Sequence, residues 1–284
     1  MNEMKILSDK YKDLDSLIKA EQHNYAKANP YPHIVLEDFF NEDFLNGILE
    51  SFPDLSKTKY SEEWKNKNEV KFGNSDYHSF PDKIKSFFDF LNSDNFLQFL
   101  QKLTSIKEKL VYDPELNGGG LHEIKKGGVL KIHTDFNRHP KLDLDRRINV
   151  LIYLNKNWKD SYGGQLELWD KNVSKCIKKI SPNFNTMVIF STTDFSNHGH
   201  PDPLNCPDEI SRKSIALYYF SSGRPKHEII NKHKKNRTYF KNRAGLMDDA
   251  DEKKENFKDF FRSFKLYKIM KNFEKKYIRR NKNK

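Results

Sequence analysis

The second half of this 284-residue chain is a series of short apolar runs separated by turn-forming residues. INVLIYL (148–154) is continuous and rich in β-branched residues, and GGQLELW (163–169) alternates after a Gly-Gly turn. NTMVIF (185–190) and SIALYYF (214–220) follow, bounded by Pro, Asn, Asp and Gly. Such runs are typical of strands, and a continuous apolar run predicts a strand covered on both faces. The pattern predicts a closed or double-sheet β core.

The residues before Pro114 have a different pattern, which favours helices over strands. NPYPHIVLEDFF (29–40) indicates a turn, a short strand and a helix entry, and the next segment has helical spacing up to Pro53. Residues 81–110 fit two amphipathic helices, whereas the polar residues 55–80 indicate a long loop. We therefore expect a mainly β protein with flanking α-helices. Its predicted regions are an N-terminal helical support (1–110), the β core (111–225) and a helical basic C-terminal extension (226–284). Together they are expected to form a single catalytic domain.

The positive charge of the chain is concentrated near its C-terminus. The net charge is +11, and from Lys265 to Lys284 nine Lys or Arg residues accompany one acid, Glu274, which gives a local balance of +8. In an overlapping segment, aromatic residues recur at helical spacing from Phe257 to Tyr277 and predict an apolar stripe, and residues 257–267 of it are expected to pack on the core. The last residues are expected to be solvated, and they could contact nucleic acid or an anionic membrane.

The location of the protein is expected to be cytoplasmic. The start of the chain is charged and lacks the apolar segment of a signal peptide. No apolar stretch approaches the length of a membrane span. The two cysteines, Cys176 and Cys206, form no metal or redox pattern.

The stretch LKIHTDF (130–136) places a histidine and an aspartate two residues apart at the end of an apolar run. On a strand, His133 and Asp135 project to the same face. The later stretch STTDFSNHGHPDPL supplies His198 and His200 as candidates for a third ligand. Two histidines and one carboxylate on one octahedral face leave three positions open, as in non-haem Fe(II) oxygenases.

A co-substrate that chelates the metal would need its far carboxylate held. Arg212 begins the strand-like run RKSIALYYF, and a guanidinium matches a carboxylate bidentately. Tyr153, in LIYLN, could add a hydroxyl group from a neighbouring strand.

In order and spacing, these residues resemble the 2-oxoglutarate- and Fe(II)-dependent dioxygenases, specifically the prolyl 4-hydroxylase family. The motifs are GGVLKIHTDFN, RRINVLIYLNKNWKDSYGGQLELWD, FSTTDFSNHGHPDPL and RKSIALYYF, within residues 111–223. The resemblance implies a double-stranded β-helix (jelly-roll) core, with iron bound by His133, Asp135 and His198. It also implies that Arg212 binds the distal carboxylate of 2-oxoglutarate and that Tyr153 hydrogen-bonds to it.

The implied reaction hydroxylates an unactivated C–H bond with Fe(II), 2-oxoglutarate and O2, gives succinate and CO2, and has ascorbate as a further expected cofactor. The substrate is expected to be a prolyl residue of a protein or peptide, with a glycan or small-molecule precursor as the alternative. Two other classes stay open: a non-catalytic jelly-roll binding module that acts through the basic tail, and a zinc hydrolase.

Several nearby residues have more ordinary interpretations. His200 is the alternative third ligand, but a position beside the ligands or facing the substrate is favoured. His122 could line the cavity or be structural. Lys213 stands beside Arg212 as an alternative carboxylate partner, and the acids Asp143 and Asp145 are expected to form ion pairs with Arg146 and Arg147 rather than to bind a metal.

Overall fold

The predicted β core forms an antiparallel sheet that curls on itself. The computed structural model describes residues 5–228 and 237–246. Within these ranges thirteen strands pair antiparallel: β1 (His33–Glu37), β2 (Glu62–Lys65), β3 (Glu69–Asn74), β4 (Val111–Tyr112), β5 (Gly120–Ile124), β6 (Val129–Thr134), β7 (Asp145–Tyr153), β8 (Leu166–Trp169), β9 (Cys176–Ile180), β10 (Thr186–Ser191), β11 (Asn197–His200), β12 (Arg212–Ser221) and β13 (Tyr239–Phe240).

Four α-helices of the described residues lie before the main strands: α1 (Leu14–Lys27), α2 (Glu42–Glu50), α3 (Asp82–Leu91) and α4 (Asp94–Thr104). The two helices predicted within residues 81–110 are α3 and α4. The side chains of Asn41 and Ser93 cap α2 and α4 by accepting hydrogen bonds from the backbone N–H groups of Phe44 (3.0 Å) and Phe96 (3.3 Å). Phe44 and Phe96 are themselves buried in the first turn of each helix. Capping and core packing therefore favour the same start for each helix.

The strand order explains how the sheet closes. It runs β1-β10-β7-β12-β5-β3-β6-β11-β8-β9, with β2 on β3, β4 on β12 and β13 on β6. Strand β3 pairs with β5 through Phe72–Asn74 and with β6 through Glu69 and Val70. It therefore joins a five-stranded sheet (β1-β10-β7-β12-β5) to a four-stranded sheet (β6-β11-β8-β9). This is the double-stranded β-helix expected from the sequence, and the fold class is confirmed.

Strand β7 shows how this arrangement separates core from cavity. Ile148, Val150 and Ile152 are fully buried in the cluster that includes the helices. Tyr153 belongs to a second cluster between the two sheets, and Leu151 packs against it. The continuous apolar run therefore corresponds to a strand covered on both faces, as predicted.

The expectation of a long loop over residues 55–80 is wrong in part, because β2 and β3 form a hairpin there. The sequence of β2, Glu-Glu-Trp-Lys, has no apolar alternation, and its residues stay largely exposed. Pairing of β3 with β5 and β6 determines this hairpin, and such tertiary pairing leaves no local pattern.

The predicted regional boundaries remain predictions. Strands β1 to β3 of the 1–110 region join the same sheet as the core strands. The predicted aromatic stripe from Phe257 to Tyr277 and the basic tail lie outside the described residues. In the part of the chain that is described, none of the helices combines the length and apolar character needed to cross a membrane.

Candidate metal centre and co-substrate cavity

Two histidines on neighbouring strands present the same ring nitrogen to one point. Nδ1 of His133 lies 2.8 Å from the carbonyl oxygen of Lys131, and Nδ1 of His198 lies 2.9 Å from that of Ser196. Each Nδ1–H therefore donates to the backbone two residues earlier, which leaves Nε2 as the ring nitrogen that could bind a metal. This hydrogen bond is the usual way in which proteins orient a metal-binding imidazole.

The pairing of β6 with β11 brings the predicted ligands together. His198 is opposite His133 in the register, and their ring centroids are 4.4 Å apart. Nε2 of His133 lies 3.6 Å from Oδ1 of Asp135, and Nε2 of His198 lies 3.4 Å from Oδ2. One ligand atom from each residue lies within 4.8 Å of the other two. His200 is not part of this group of three.

The protonation of this group suits a divalent cation. Burial, and then the neighbouring His133, lower the pKa of His198 to about 4 against the opposing effect of Asp135, so the ring is neutral at neutral pH. Burial alone would raise the pKa of Asp135, but Arg146, His198 and His133 hold it well below its usual range. Two imidazoles and a carboxylate fit Fe(II) with open positions.

Asp135 is held by two side chains that the sequence analysis did not identify as part of the site. Nη2 of Arg146 donates to its Oδ2 at 3.0 Å, and Nδ2 of Asn149 donates to the same oxygen at 2.7 Å. Arg146 also donates to Oδ1 of Asn149 through Nε (2.9 Å) and Nη2 (2.7 Å), and its guanidinium lies 3.3 Å from the centroid of the Tyr218 ring. The carboxylate is therefore fixed in orientation by a buried network.

A β-bulge explains why this network was missed. On a regular strand, Arg146 and Asn149 would face opposite sides, since they are three residues apart. The register of β7 with β12 shifts here: Ile148 pairs with Tyr219, but Arg146 pairs with Phe220. Arg147 is the extra residue, and its side chain reaches Glu108 at 2.9 Å instead. Only the bulge places Arg146 and Asn149 on one side.

Arg212 and Tyr153 form the other end of the same cavity. Arg212 is buried, its Nε donates to the carbonyl oxygen of Gly164 at 2.7 Å, and its Nη2 donates to the Tyr153 hydroxyl at 3.3 Å. Burial raises the pKa of Tyr153, although Arg212 opposes this, so the phenol stays protonated. A fixed guanidinium beside a hydroxyl group is suited to a carboxylate ligand.

One cavity contains all five predicted site residues. Side chains from both sheets, the β2–β3 hairpin and β13 contribute to its wall, and the lining includes Trp64, Lys71, His122, Leu130, His133, Asp135, Phe136, Arg146, Asn149, Leu151, Tyr153, Leu166, His198, His200, Arg212, Ser214, Tyr218 and Phe240. The ring of Phe240 lies 5.5 Å from that of His133. The cavity therefore connects the three candidate metal ligands with the Arg212–Tyr153 pair.

Two further histidines line this cavity. Burial first, and then Lys71 and Arg212, lower the pKa of His122 to about 3. Burial, and then Arg212 and Lys71, also lower the pKa of His200 well below its usual range. Both rings are therefore neutral and close to the cationic end of the cavity.

The other alternative residues named from the sequence form contacts outside the cavity. Lys213 contacts the Ser211 hydroxyl and lies 3.5 Å from Glu123, so it faces away from the cavity that Arg212 lines. The expected ion pairing of Asp143 and Asp145 occurs, but the partners are different. Asp143 contacts Arg138, and Asp145 lies within 4 Å of Arg138 and Arg224.

Comparison with known proteins agrees with the site. Residues 119–220 match the family model described as the 2OG-Fe(II) oxygenase superfamily. The chain is 28% identical over 205 residues to prolyl 3-hydroxylase OGFOD1 of Xenopus laevis, covering 67% of this chain and 35% of that protein. The chain thus spans about a third of the length of this curated relative.

Solved structures share the fold. A prolyl hydroxylase from Trichoplax adhaerens, in complex with a peptide fragment of the hypoxia inducible factor oxygen degradation domain, has a TM-score of 0.54 at 18% identity, covering 75% of this chain and 92% of that chain. A Pseudomonas putida prolyl-4-hydroxylase has a TM-score of 0.52 at 12% identity, covering 73% of this chain and all of that chain. At these identities the likeness concerns the fold.

The fold and the candidate metal site agree with the match of residues 119–220 to the 2OG-Fe(II) oxygenase superfamily. The resemblance predicted from the sequence is thereby confirmed. The curated relative and the two solved structures named above are prolyl hydroxylases, and that activity is stated of those proteins.

Proposed function

We propose that this protein hydroxylates a prolyl residue of a protein or peptide. Support comes from the prolyl 3-hydroxylase relative and from the neighbouring prolyl hydroxylase that holds a peptide. The glycan or small-molecule alternative and the binding-module alternative have no comparable support.

The single observation that carries the proposed 2-oxoglutarate chemistry is the two-ended cavity. One end has two imidazoles and a carboxylate with ligand atoms within 4.8 Å of one another, and the other has a buried arginine beside a tyrosine hydroxyl. A metal-chelating dicarboxylic acid needs both ends. A zinc hydrolase would need the first end and a general base but would not need Arg212.

The side chains of the site would have three roles. His133, Asp135 and His198 would hold Fe(II), Arg146 and Asn149 would orient the carboxylate ligand, and Arg212 with Tyr153 would orient 2-oxoglutarate. The metal and co-substrate, when bound with O2, supply the oxidising chemistry. The protein would supply geometry and a buried cavity that limits access of water.

Other parts of the proposal rest on the sequence alone. A requirement for ascorbate follows only from the resemblance. Contact of the basic tail with nucleic acid or an anionic membrane follows from its charge, and the tail lies outside the described residues. The cytoplasmic location likewise stays a prediction.

The first test is binding of 2-oxoglutarate to anaerobic, Fe(II)-loaded protein, followed by its visible charge-transfer band. We expect a band in the parent protein, no band in His133→Ala, and a Kd for 2-oxoglutarate about 100-fold higher in Arg212→Ala, because a charge-assisted contact is lost. Lys213→Ala is the matched control, since Lys213 faces away from the cavity. A folded, iron-loaded parent without a band would refute the proposed chemistry.

The prolyl substrate is tested separately. Proline-containing peptides and a cell extract are incubated with active protein, and products are searched by mass spectrometry for addition of one oxygen atom at proline. Oxygen added to a glycan or small molecule instead would replace the prolyl proposal but keep the enzyme class.

A further inference from the structure

His200 is buried without a hydrogen-bond partner. Its side chain lines the cavity, the residue is 3% exposed, and neither ring nitrogen has a partner among the described residues. Buried polar groups are nearly always satisfied, because an unpaired one costs free energy. A histidine of this kind at a cavity wall indicates that its partner is a ligand.

The strand registers locate His200 between the two ends of the cavity. On β11, His198 and His200 face the same side because they are two residues apart. His198 pairs with Leu168 and Gly199 with Glu167 on β8, so the next position brings His200 level with Leu166. Gly164 lies two residues before Leu166 in the chain, and its carbonyl oxygen accepts a hydrogen bond from Nε of Arg212. His200 is therefore displaced from His198 towards Arg212.

The surroundings of His200 on its own sheet offer no polar partner. Its register neighbour on β6 is Leu130, and Leu130 and Leu166 both line the cavity. The opposite sheet presents polar groups instead: Ser214 pairs with Tyr153 on one side and with His122 on the other, so these three share one face. A ligand between the sheets could therefore contact His200 on one wall and His122, Ser214 and Tyr153 on the other.

We infer that His200 binds the distal carboxylate of the co-substrate by donating a ring N–H, opposite Arg212 and Tyr153. The inference rests on the proposed use of 2-oxoglutarate. Two residues of strand span about 7 Å. A five-carbon diacid anchored at the metal has its second carboxylate at a comparable distance, beyond His198 in the direction of Arg212. Both the position and the missing partner of His200 are then accounted for.

The test compares two variants of the full-length protein. His200→Leu removes the donor at similar bulk, and His200→Gln keeps an N–H donor. Binding of 2-oxoglutarate to anaerobic Fe(II) protein is measured by the charge-transfer band and by calorimetry. We expect the Kd to rise about 10- to 100-fold in His200→Leu, because a hydrogen bond to a charged group is lost. We expect His200→Gln to retain most of the affinity. His23→Leu, on the exposed face of α1, is the control and should bind as the parent does.

A second ligand identifies which end of the co-substrate is contacted. 2-Oxovalerate has the chelating keto acid and five carbons but lacks the distal carboxylate. We expect its Kd to be the same in the parent and in His200→Leu. An equal loss for both ligands would mean that the metal end is disturbed, and it would overturn the inference.

Thermal unfolding separates this function from a structural role. Replacing an unpaired buried imidazole by leucine should leave the unfolding midpoint unchanged or higher. A large decrease in the midpoint, or equal 2-oxoglutarate affinity in parent and His200→Leu, would refute the inference. A parent that binds no 2-oxoglutarate would instead refute the proposed function on which it rests.

Discussion

At the residue scale, Arg146 is the buried cation that is paired with the carboxylate of Asp135. Arg146 is 1% exposed and approaches Oδ2 of Asp135 at 3.0 Å. Removing one partner of a buried ion pair leaves the other charge uncompensated, which costs about 3–5 kcal/mol. A bound divalent cation would neutralise the same carboxylate. Arg146 and the metal therefore stabilise one charge by two routes.

This predicts that Arg146→Met makes the fold depend on metal. We expect the free energy of unfolding of the metal-free protein to fall by about 3–5 kcal/mol. A redox-inert ion such as Mn(II) should then raise the unfolding midpoint more in the variant than in the parent, because it neutralises the unpaired carboxylate. Thermal unfolding with and without Mn(II) measures both effects.

Arg224→Met is the matched control for this prediction. The side chain of Arg224 is also buried, but its acidic neighbours are Asp145 and Glu228 rather than Asp135. Its variant should be destabilised, yet it should gain no more from Mn(II) than the parent does. An equal gain in all three proteins would contradict the shared role of Arg146 and the metal.

The limits of prediction from sequence are visible among these same residues. His133, Asp135 and His198 could be proposed because strand spacing places i and i+2 on one face, and the structure brings them together with Tyr153 and Arg212 in one cavity. Arg146 and Asn149 violate that spacing, because a bulge reverses the alternation between them. Bulges follow from pairing with a partner strand, so the local sequence does not show them.

At the element scale, the pairing of β6 with β11 sets the distance between the two candidate histidine ligands. Gly199 lies between His198 and His200, where a Cβ atom would be 2.7 Å from the carbonyl oxygen of Leu130 and 2.8 Å from that of Lys131. Both obstacles are backbone atoms of β6, so they cannot rotate away. A side chain at this position must push the two strands apart.

Gly199→Ala should therefore weaken metal binding without removing a ligand. Because misplacement by about 1 Å can cost about 100-fold in a constrained site, we expect a decrease in Mn(II) or Fe(II) affinity of about 10- to 100-fold. The overpacking should also cost about 1–3 kcal/mol of stability. Metal titration by calorimetry and thermal unfolding measure the two effects.

Gly47→Ala provides the control, since Gly47 lies inside α2 and a Cβ atom there would meet only the flexible end of Lys83. That variant should bind metal normally and be more stable by up to about 1 kcal/mol, because alanine favours the helix. Unchanged metal affinity in a folded Gly199→Ala protein would show that strand separation does not control the site.

Helices and strands could be predicted from the sequence where the local spacing of apolar residues alone defines them. The helices α3 and α4 and the strand β7 have clear apolar periodicity, and the structure contains them. The hairpin β2–β3 lacks such apolar periodicity, although it brings Trp64 and Lys71 to the cavity wall. Its polar sequence reflects exposure at the edge of the site, which is also where substrate specificity is usually determined.

At the scale of the whole molecule, the curled sheet assigns its two sides to different tasks. The outer side of the larger sheet packs on the helices, and the inner side faces the smaller sheet across the cavity. The C-terminal part completes this arrangement. Phe240 on β13 pairs with His133, Nζ of Lys241 donates to Oδ1 of Asn197 at 2.7 Å, and the N–H of Ala244 donates to the carbonyl oxygen of Val173 at 3.0 Å. Residues 237–246 therefore cover the edge of the metal end.

This arrangement predicts different outcomes for two truncations. A chain ending at Leu246 keeps β13, so its affinities for Mn(II) and 2-oxoglutarate should match those of the full chain. A chain ending at Glu228 loses β13 and the buried Tyr239, which should cost about 2–3 kcal/mol of stability. It should also bind Mn(II) about tenfold more weakly, because the His133 edge is uncovered. Both lack the tail with its local charge of +8, so both should lose any salt-sensitive binding to anionic vesicles. Equal metal affinity in the two truncated proteins would show that β13 only covers the site and does not support it.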